Sequence, residues 1–220
     1  MTSRRTFVTT LASLAGFAVA GRSVEPLEAQ APAPPTARPA TEWDMSWLDQ
    51  FKGKHKQVFD LHSFDITRDT PLRQPMNYFD TFRDVYRLEH PDVNVTIGIS
   101  NTAFPMNLSD AIWEKYQLGD RYKINDPSTG KPATRNVFLG QASGGSGAMV
   151  RALQARGAIF WQCDVAFTNA VARLARDVGR PVADVRAELL AGFNPGVKLV
   201  PAHVMAIGLV QERGFTYEKV

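Results

Sequence analysis

The sequence predicts an α/β fold in which a mainly parallel β-sheet carries helices on both of its faces. Short apolar runs rich in β-branched residues alternate along the chain with longer segments whose apolar residues have helical spacing. This alternation is typical of βαβ units. The 220 residues are enough for one well-packed domain, and 44% hydrophobic with 21% charged residues is ordinary globular composition.

The first half of the predicted domain contains two strands and two helices. Apolar residues that alternate or cluster in short runs indicate the strands, and intervals of three and four indicate the helices. The first helix is expected to stop at Pro91. The elements are strands at 56–62 and 93–100, helices at 75–90 and from 108, and a polar loop at 118–140. A loop of that length inside a compact domain is often functional or faces a partner.

The second half repeats the alternation. AIFWQC is a short apolar run with an aromatic pair, which favours a buried strand, and VKLVP favours another. The predicted elements are helices at 146–156, 165–178, 181–192 and 202–213, and strands at 158–163, 197–201 and 215–217.

Several polar residues directly follow the predicted strands. Right-handed crossovers place the carboxyl ends of parallel strands at one edge of a sheet, where ligands of such folds bind. The residues expected at this edge are His62, Ser63, Ser100, Asn101, Thr102, Cys163, Asp164 and His203. Of these, His62, Ser100, Asn101 and Asp164 are the candidate ligand-binding residues.

Cys163 is the single cysteine of the chain and the first candidate for catalysis. It lies between a strand and a helix, and the unpaired amides of a helix N-terminus stabilise a thiolate relative to a thiol. The carboxylate of Asp164 opposes this effect unless it turns away from the sulfur. The alternative is a buried cysteine that only continues the apolar strand, since free cysteine is among the most buried residue types.

His203 is the second candidate for catalysis. From the first turn of the neighbouring helix it could hold a proton for Cys163 or orient a substrate, but a histidine in that place needs no function. Cys163, His203 and His62 together could also ligate zinc or copper. We predict no metal and no cofactor, and the metal site stays an alternative.

The N-terminus predicts an export signal. Ser3-Arg4-Arg5-Thr6-Phe7 precedes an uncharged run that is too short for a permanent membrane anchor, and Ala18-Val19-Ala20 fits a cleavage site. The paired arginines favour the twin-arginine route, which carries folded proteins to the periplasm. The twin-arginine translocase is therefore an expected partner.

The predicted organisation is a signal peptide at 1–20, a linker at 21–42 and one domain at 43–220. The linker contains five prolines between residues 26 and 40, which favours an extended tether. Without residues 1–20 the chain has 23 basic and 22 acidic residues, and no basic cluster indicates a nucleic-acid partner. One cysteine cannot form an internal disulfide in an oxidising periplasm.

Three segments carry a family resemblance: WQCDVAFTNAVARLA, then VADVRAELL, then NPGVKLVPAHVMAIGLVQERGFTY. Over Phe51 to Tyr217 the chain resembles the DsrE/DsrF-like family of small sulfur-relay proteins, and specifically an exported branch with twin-arginine signals. The resemblance implies a three-layer α/β/α domain with a mainly parallel sheet of about five strands. It also implies assembly into homo-oligomers.

The resemblance further implies that a cysteine at a strand end carries sulfur as a persulfide, and only Cys163 matches that position. The expected function is the handling of sulfane sulfur or thiol chemistry in the periplasm, with a sulfur donor or acceptor protein as partner. The alternative is a non-catalytic module of the same fold that binds a small ligand or metal or serves in assembly, because fold does not settle function.

Overall fold

A parallel sheet of five strands forms the centre of the domain. The structure, a computed structural model, describes residues 43–63, 71–140 and 149–220. The strands are β1 (His55–Leu61), β2 (Val93–Ile99), β3 (Ile159–Cys163), β4 (Lys198–Val200) and β5 (Thr216–Lys219). Their order across the sheet is β4-β3-β2-β1-β5, and all four pairs are parallel.

Seven α-helices surround the sheet in the described residues. They are α1 (Arg73–Thr81), α2 (Asp110–Tyr116), α3 (Leu118–Arg121), α4 (Val150–Ala155), α5 (Asp164–Val178), α6 (Val182–Ala191) and α7 (His203–Glu212). Short 3₁₀-helices add Ser46–Gln50 and Asn101–Asn107, and a π-helical turn at Phe82–Tyr86 follows α1.

Two hydrophobic cores, one on each face of the sheet, hold the layers together. Phe59 and Phe160 point into the larger core, which α1 to α6 cover. Their chain neighbours Val58 and Trp161 point the other way, against α7 and the first 3₁₀-helix. Successive side chains of a strand alternate between faces, so one apolar strand supplies both cores. The predicted three-layer α/β/α fold with a parallel five-stranded sheet is confirmed.

The structure differs from the sequence analysis where backbone geometry interrupts an apolar pattern. The helix predicted for 75–90 is α1 plus the π-helical turn, and it ends at Arg87, whose φ of 58° is left-handed. The segment 118–140 was expected to be a loop, but it begins with α3 and is tied to the domain by Asn136. The buried Asn136 amide donates to the carbonyls of Met106 (2.9 Å) and Leu108 (2.6 Å).

Three predicted segments lie wholly or partly outside the described residues: the signal peptide at 1–20, the linker at 21–42, and the start of the helix at 146–156. Within the described ranges, no helix has the length and apolar character needed to cross a membrane.

We expect Phe160→Ala to lower the free energy of unfolding by about 3–5 kcal/mol, because the ring is fully buried on the interior strand β3 and its loss leaves a cavity. Val85→Ala is the control, since Val85 is 63% exposed, and its effect should stay within about 0.5 kcal/mol. Urea denaturation measures both. Equal effects would contradict the placement of the larger core.

Candidate functional site

A pocket opens at the carboxyl edge of the sheet, where the predicted site residues meet. Its volume is about 450 Å³. The sequence-predicted residues that line it are His62, Ser100, Asn101, Cys163 and His203. Asp164 does not line it. The structure therefore brings five of the six candidates together around one cavity.

The register of the parallel strands explains this convergence. Asp60 pairs with Gly98, and Gly98 pairs with Trp161, so these three residues form one row across the sheet. Two residues further along each strand come His62, Ser100 and Cys163. Because side chains alternate with a period of two, this second row shares the face of the first.

Cys163 lies between the N-termini of two helices. It is the N-cap residue of α5, with an extended backbone (φ −68°, ψ 121°), and its side chain makes no capping bond to α5. Its Sγ instead accepts a hydrogen bond of 3.3 Å from the backbone N–H of His203, the first residue of α7. The positive ends of both helix dipoles therefore lie close to the sulfur.

The sulfur of Cys163 is largely buried but remains accessible from the pocket. Cys163 is 5% exposed and lines the pocket wall, so a ligand in the pocket can reach it. This geometry combines features of both sequence-based alternatives, because the residue continues a buried strand and also faces a cavity.

An ion pair with Arg186 neutralises the charge of Asp164 at the start of α5. Its carboxylate is almost fully buried and accepts a hydrogen bond of 2.5 Å from Arg186 of α6. The guanidinium of Arg186 also lies over the Phe167 ring. The positive partner offsets the negative charge that would otherwise oppose a thiolate at the neighbouring residue.

Both ring nitrogens of His203 are engaged by residues other than Cys163. The indole N–H of Trp161 donates to Nδ1 (3.1 Å), and an indole nitrogen can only donate, so Nδ1 carries no proton. Nε2 therefore carries the proton and donates to Asp60 Oδ1 at 2.7 Å. His203 reaches Cys163 through its main chain, so a role for the imidazole as proton acceptor for the thiol has no support in this geometry.

Burial lowers the pKa of His203 below its ordinary value of about 6.5, and the hydrogen bond to Asp60 opposes that shift. Protonation of Nδ1 would also break the bond from Trp161. These effects together keep the imidazole neutral around pH 7.

Asp60, Trp161 and Tyr217 were missed by the sequence analysis. The Asp60 carboxylate accepts from His203 and, through Oδ2, from the Tyr217 hydroxyl at 2.7 Å. This bond to Asp60 is the main reason that the pKa of Tyr217 is raised. One signal was available: Asp60 is an acidic residue inside the apolar run from Val58 to Leu61. Tyr217, the partner of Asp60 on β5, had no comparable signal in the sequence.

His62, Ser100 and Asn101 form a second hydrogen-bonded group at the pocket. The Asn101 amide donates to His62 Nε2 (3.0 Å), which leaves the proton on Nδ1, and Nδ1 donates to Ser100 Oγ (2.9 Å). The Ser100 hydroxyl proton then remains available to a ligand. Asn101 has a φ of 42°, a left-handed conformation that asparagine tolerates.

The metal alternative lacks a ligand set here. In the part of the chain that the structure describes, no group of three or more His, Cys, Asp or Glu side chains is arranged to hold a metal ion. The ring nitrogens of His203 are committed to Asp60 and Trp161, which removes it from the proposed Cys163–His203–His62 set.

We expect Gly98→Ala to disturb the site and lower the free energy of unfolding by about 1–3 kcal/mol, a typical cost of overpacking. A Cβ at residue 98 would overlap the Trp161 ring and lie 2.7 Å from Cε1 of His203. Gly208→Ala is the control: it lies in α7 with open space around its Cβ, and it should stabilise by a few tenths to about 1 kcal/mol. Thermal or urea unfolding measures both, and a neutral Gly98→Ala would contradict the packing of His203 over β2.

We expect His203 to make the protein less stable as the pH falls below about 6.5. The unfolded chain takes up a proton there while the folded chain resists it, because the pKa of His203 is lowered in the folded state. The loss should end once the pH passes the folded-state pKa. Urea unfolding between pH 8 and pH 5 should show a flatter profile for His203→Gln. His90→Gln, at an exposed residue, is the control and should keep the wild-type profile.

Comparisons with known proteins give a solved structure of low overall similarity. No protein-family model matches the chain, and no curated protein matches it. The chain is similar to a solved structure from Methanobacterium thermoautotrophicum, the protein of unknown function MTH1491, at 15% sequence identity. The match covers 76% of this chain and 99% of that one, with a TM-score of 0.38.

Proposed function

We propose that this protein accepts sulfane sulfur on Cys163 as a persulfide and passes it to an acceptor thiol. The observation that carries the proposal is the position of Cys163: a single thiol at the junction of two helix N-termini, hydrogen-bonded by the His203 amide, in the wall of a pocket. The resemblance to the DsrE/DsrF-like family supports the same conclusion.

The chemistry is a thiolate exchange that needs no external oxidant. The Cys163 thiolate attacks the outer sulfur of a protonated persulfide donor, R–S–SH, and the bond between the two donor sulfurs breaks. Its electron pair leaves on R–S⁻, and Cys163 becomes Cys–S–SH with the proton retained on the outer sulfur. An acceptor thiolate then attacks that outer sulfur and regenerates the Cys163 thiolate.

The surrounding residues stabilise charge and fix geometry. The His203 N–H donates to the sulfur, and the helix ends favour its anionic form in both the resting and the leaving step. Asp60 and Trp161 hold the His203 ring, so they act as positioning residues rather than on the reacting sulfur. Ser100, which follows the neighbouring strand β2, offers a hydroxyl to the donor or acceptor in the pocket.

We also propose that this reaction takes place in the periplasm after export by the twin-arginine route, with a donor or acceptor protein docking at the pocket. Val165, Val204 and Met205 support such docking, because they are 58%, 79% and 40% exposed on the first turns of α5 and α7. Exposed apolar side chains beside a site favour contact with a partner, which includes another copy of the chain in a homo-oligomer.

A second candidate function is binding of a small ligand without turnover. The low exposure of Cys163 favours it, because a buried sulfur can simply form part of a pocket wall. Under this alternative the His62–Ser100–Asn101 group would recognise the ligand, and replacement of the sulfur would weaken binding only slightly.

We expect native protein mixed with a low-molecular-mass persulfide to gain the mass of one sulfur atom on Cys163, and Cys163→Ser to gain none. The serine hydroxyl keeps the shape of the thiol but cannot hold sulfane sulfur. Intact-protein mass spectrometry before and after mild thiol treatment measures the gain and its reversal. Transfer to an added acceptor thiol completes the test.

Iodoacetamide labelling of the folded protein is the matched control for access. We expect Cys163 to be labelled under native conditions. Cys163 in the Ser100→Ala variant should be labelled at a similar rate, because that variant retains the hydrogen bond from the His203 amide to the sulfur. A wild-type thiol that reacts with iodoacetamide and persulfide only after unfolding would contradict the proposed function and favour the binding alternative.

A further inference from the structure

A second pocket adjoins the one at Cys163 and is distinctly basic. Its volume is about 650 Å³. Its charged lining residues are Arg121, Lys123, Arg173 and Asp177. Asn101 and Arg173 line both pockets, so the two cavities meet at these side chains. A molecule that reaches Cys163 from this side passes Arg173.

Among the described cationic residues that line this groove, Arg173 is the one without a salt bridge to a carboxylate. Arg121 is paired with Asp177 at 2.5 Å, and Lys123 is paired with Asp120 at 3.2 Å. The Arg173 guanidinium lies near the Tyr122 hydroxyl and opposes the effect of burial, which raises the pKa of Tyr122, and no carboxylate of a described residue lies within 4 Å of the guanidinium. An arginine without an acidic partner at the mouth of a pocket is suited to bind an anion from solution.

The position of Arg173 on α5 sets the size of that anion. Ten residues separate it from Cys163, which is about 15 Å along a helix axis. Side chains of a helix lean toward its N-terminus, and Arg173 and Cys163 line the same pocket, so one ligand can lie between the two groups. A compound of a few atoms cannot contact both groups. A thiol of dipeptide or tripeptide size can.

We propose that the sulfur donor is a small persulfide whose thiol carries a carboxylate, bound by Arg173 while its outer sulfur meets Cys163. This inference rests on the proposed function, because it names the donor for the same exchange. The carboxylate takes no part in bond making. It fixes the donor so that the outer sulfur, and not the inner one, faces the thiolate, and R–S⁻ leaves along the groove toward Arg173.

The planar shape of the Arg173 guanidinium explains why its ligand would be a carboxylate. Two parallel N–H groups match two carboxylate oxygens, and such charge-assisted pairs are about twice as strong as neutral hydrogen bonds. The Asn101 side chain at the junction, which is exposed, can add a polar contact to the peptide part of the donor.

The test compares two probes, the persulfide of glutathione, which carries carboxylates, and the persulfide of 2-mercaptoethanol, which carries no charge. Stopped-flow or quench measurements give the rate of sulfur transfer to Cys163 against donor concentration. For Arg173→Ala we expect the half-saturating concentration of glutathione persulfide to rise about 10- to 100-fold, with the limiting rate nearly unchanged. The rate with the neutral probe should not change.

Arg176→Ala is the matched control, because Arg176 lies on the same helix, is highly exposed and lines neither pocket. It removes the same charge and should leave the kinetics with both probes at wild-type values. Arg173→Lys should recover part of the lost affinity, since a lysine keeps the charge but not the fork. Added salt should weaken the wild-type binding of glutathione persulfide more than that of the neutral probe.

The outcomes separate the two proposals. If neither probe transfers sulfur to wild-type Cys163, the proposed function fails. If both probes transfer sulfur and Arg173→Ala affects them equally, or affects neither, the carboxylate-bearing donor is wrong while the function stands. A loss confined to glutathione persulfide, absent in Arg176→Ala, establishes the role of Arg173.

Discussion

The site depends on the His203 imidazole, which is held between the Trp161 indole and the Asp60 carboxylate. These two bonds fix the first residue of α7 over the sheet, and only then does its main-chain amide point at the sulfur of Cys163. Gly98 makes room for this arrangement, since any side chain there would meet both rings. The neutral His203 imidazole thus orients a backbone donor toward the sulfur and does not itself exchange a proton with the thiol.

The electrostatic balance at Cys163 comes from several weak sources. Two helix N-termini, one of which supplies the His203 amide, place positive potential at the sulfur, and Arg186 offsets the negative charge of the neighbouring Asp164. Each source is worth about 1 kcal/mol or less in exposed settings and more where water is excluded. A thiol of low exposure that accepts a main-chain hydrogen bond is consistent with the proposed sulfur exchange away from bulk solvent.

Much of the fold and part of the site could be predicted from the sequence. The alternation of apolar runs predicts the parallel sheet, and its carboxyl edge predicts that Cys163, His203, His62, Ser100 and Asn101 converge. The partners of His203 could not be predicted, because they depend on strand register and on the order that places β5 beside β1. The orientation of the His203 ring was missed for the same reason: a sequence places a residue at an edge but does not say which atoms face inward.

The strand order also has a consequence for how the protein is made. Asp60 and His203 are 143 residues apart, and Asp60 and Tyr217 are 157 apart, yet all three share one hydrogen-bonded group. Contacts this distant in sequence slow the folding of a domain, because loop-closure entropy must be overcome before they form. At a translation rate of about 5–20 residues per second, the ribosome needs roughly 7–30 s between the two halves of the group. Until α7 emerges and docks, the nascent chain carries its one cysteine without the hydrogen bond from the His203 amide, so the environment described for the sulfur exists only once the fold is complete.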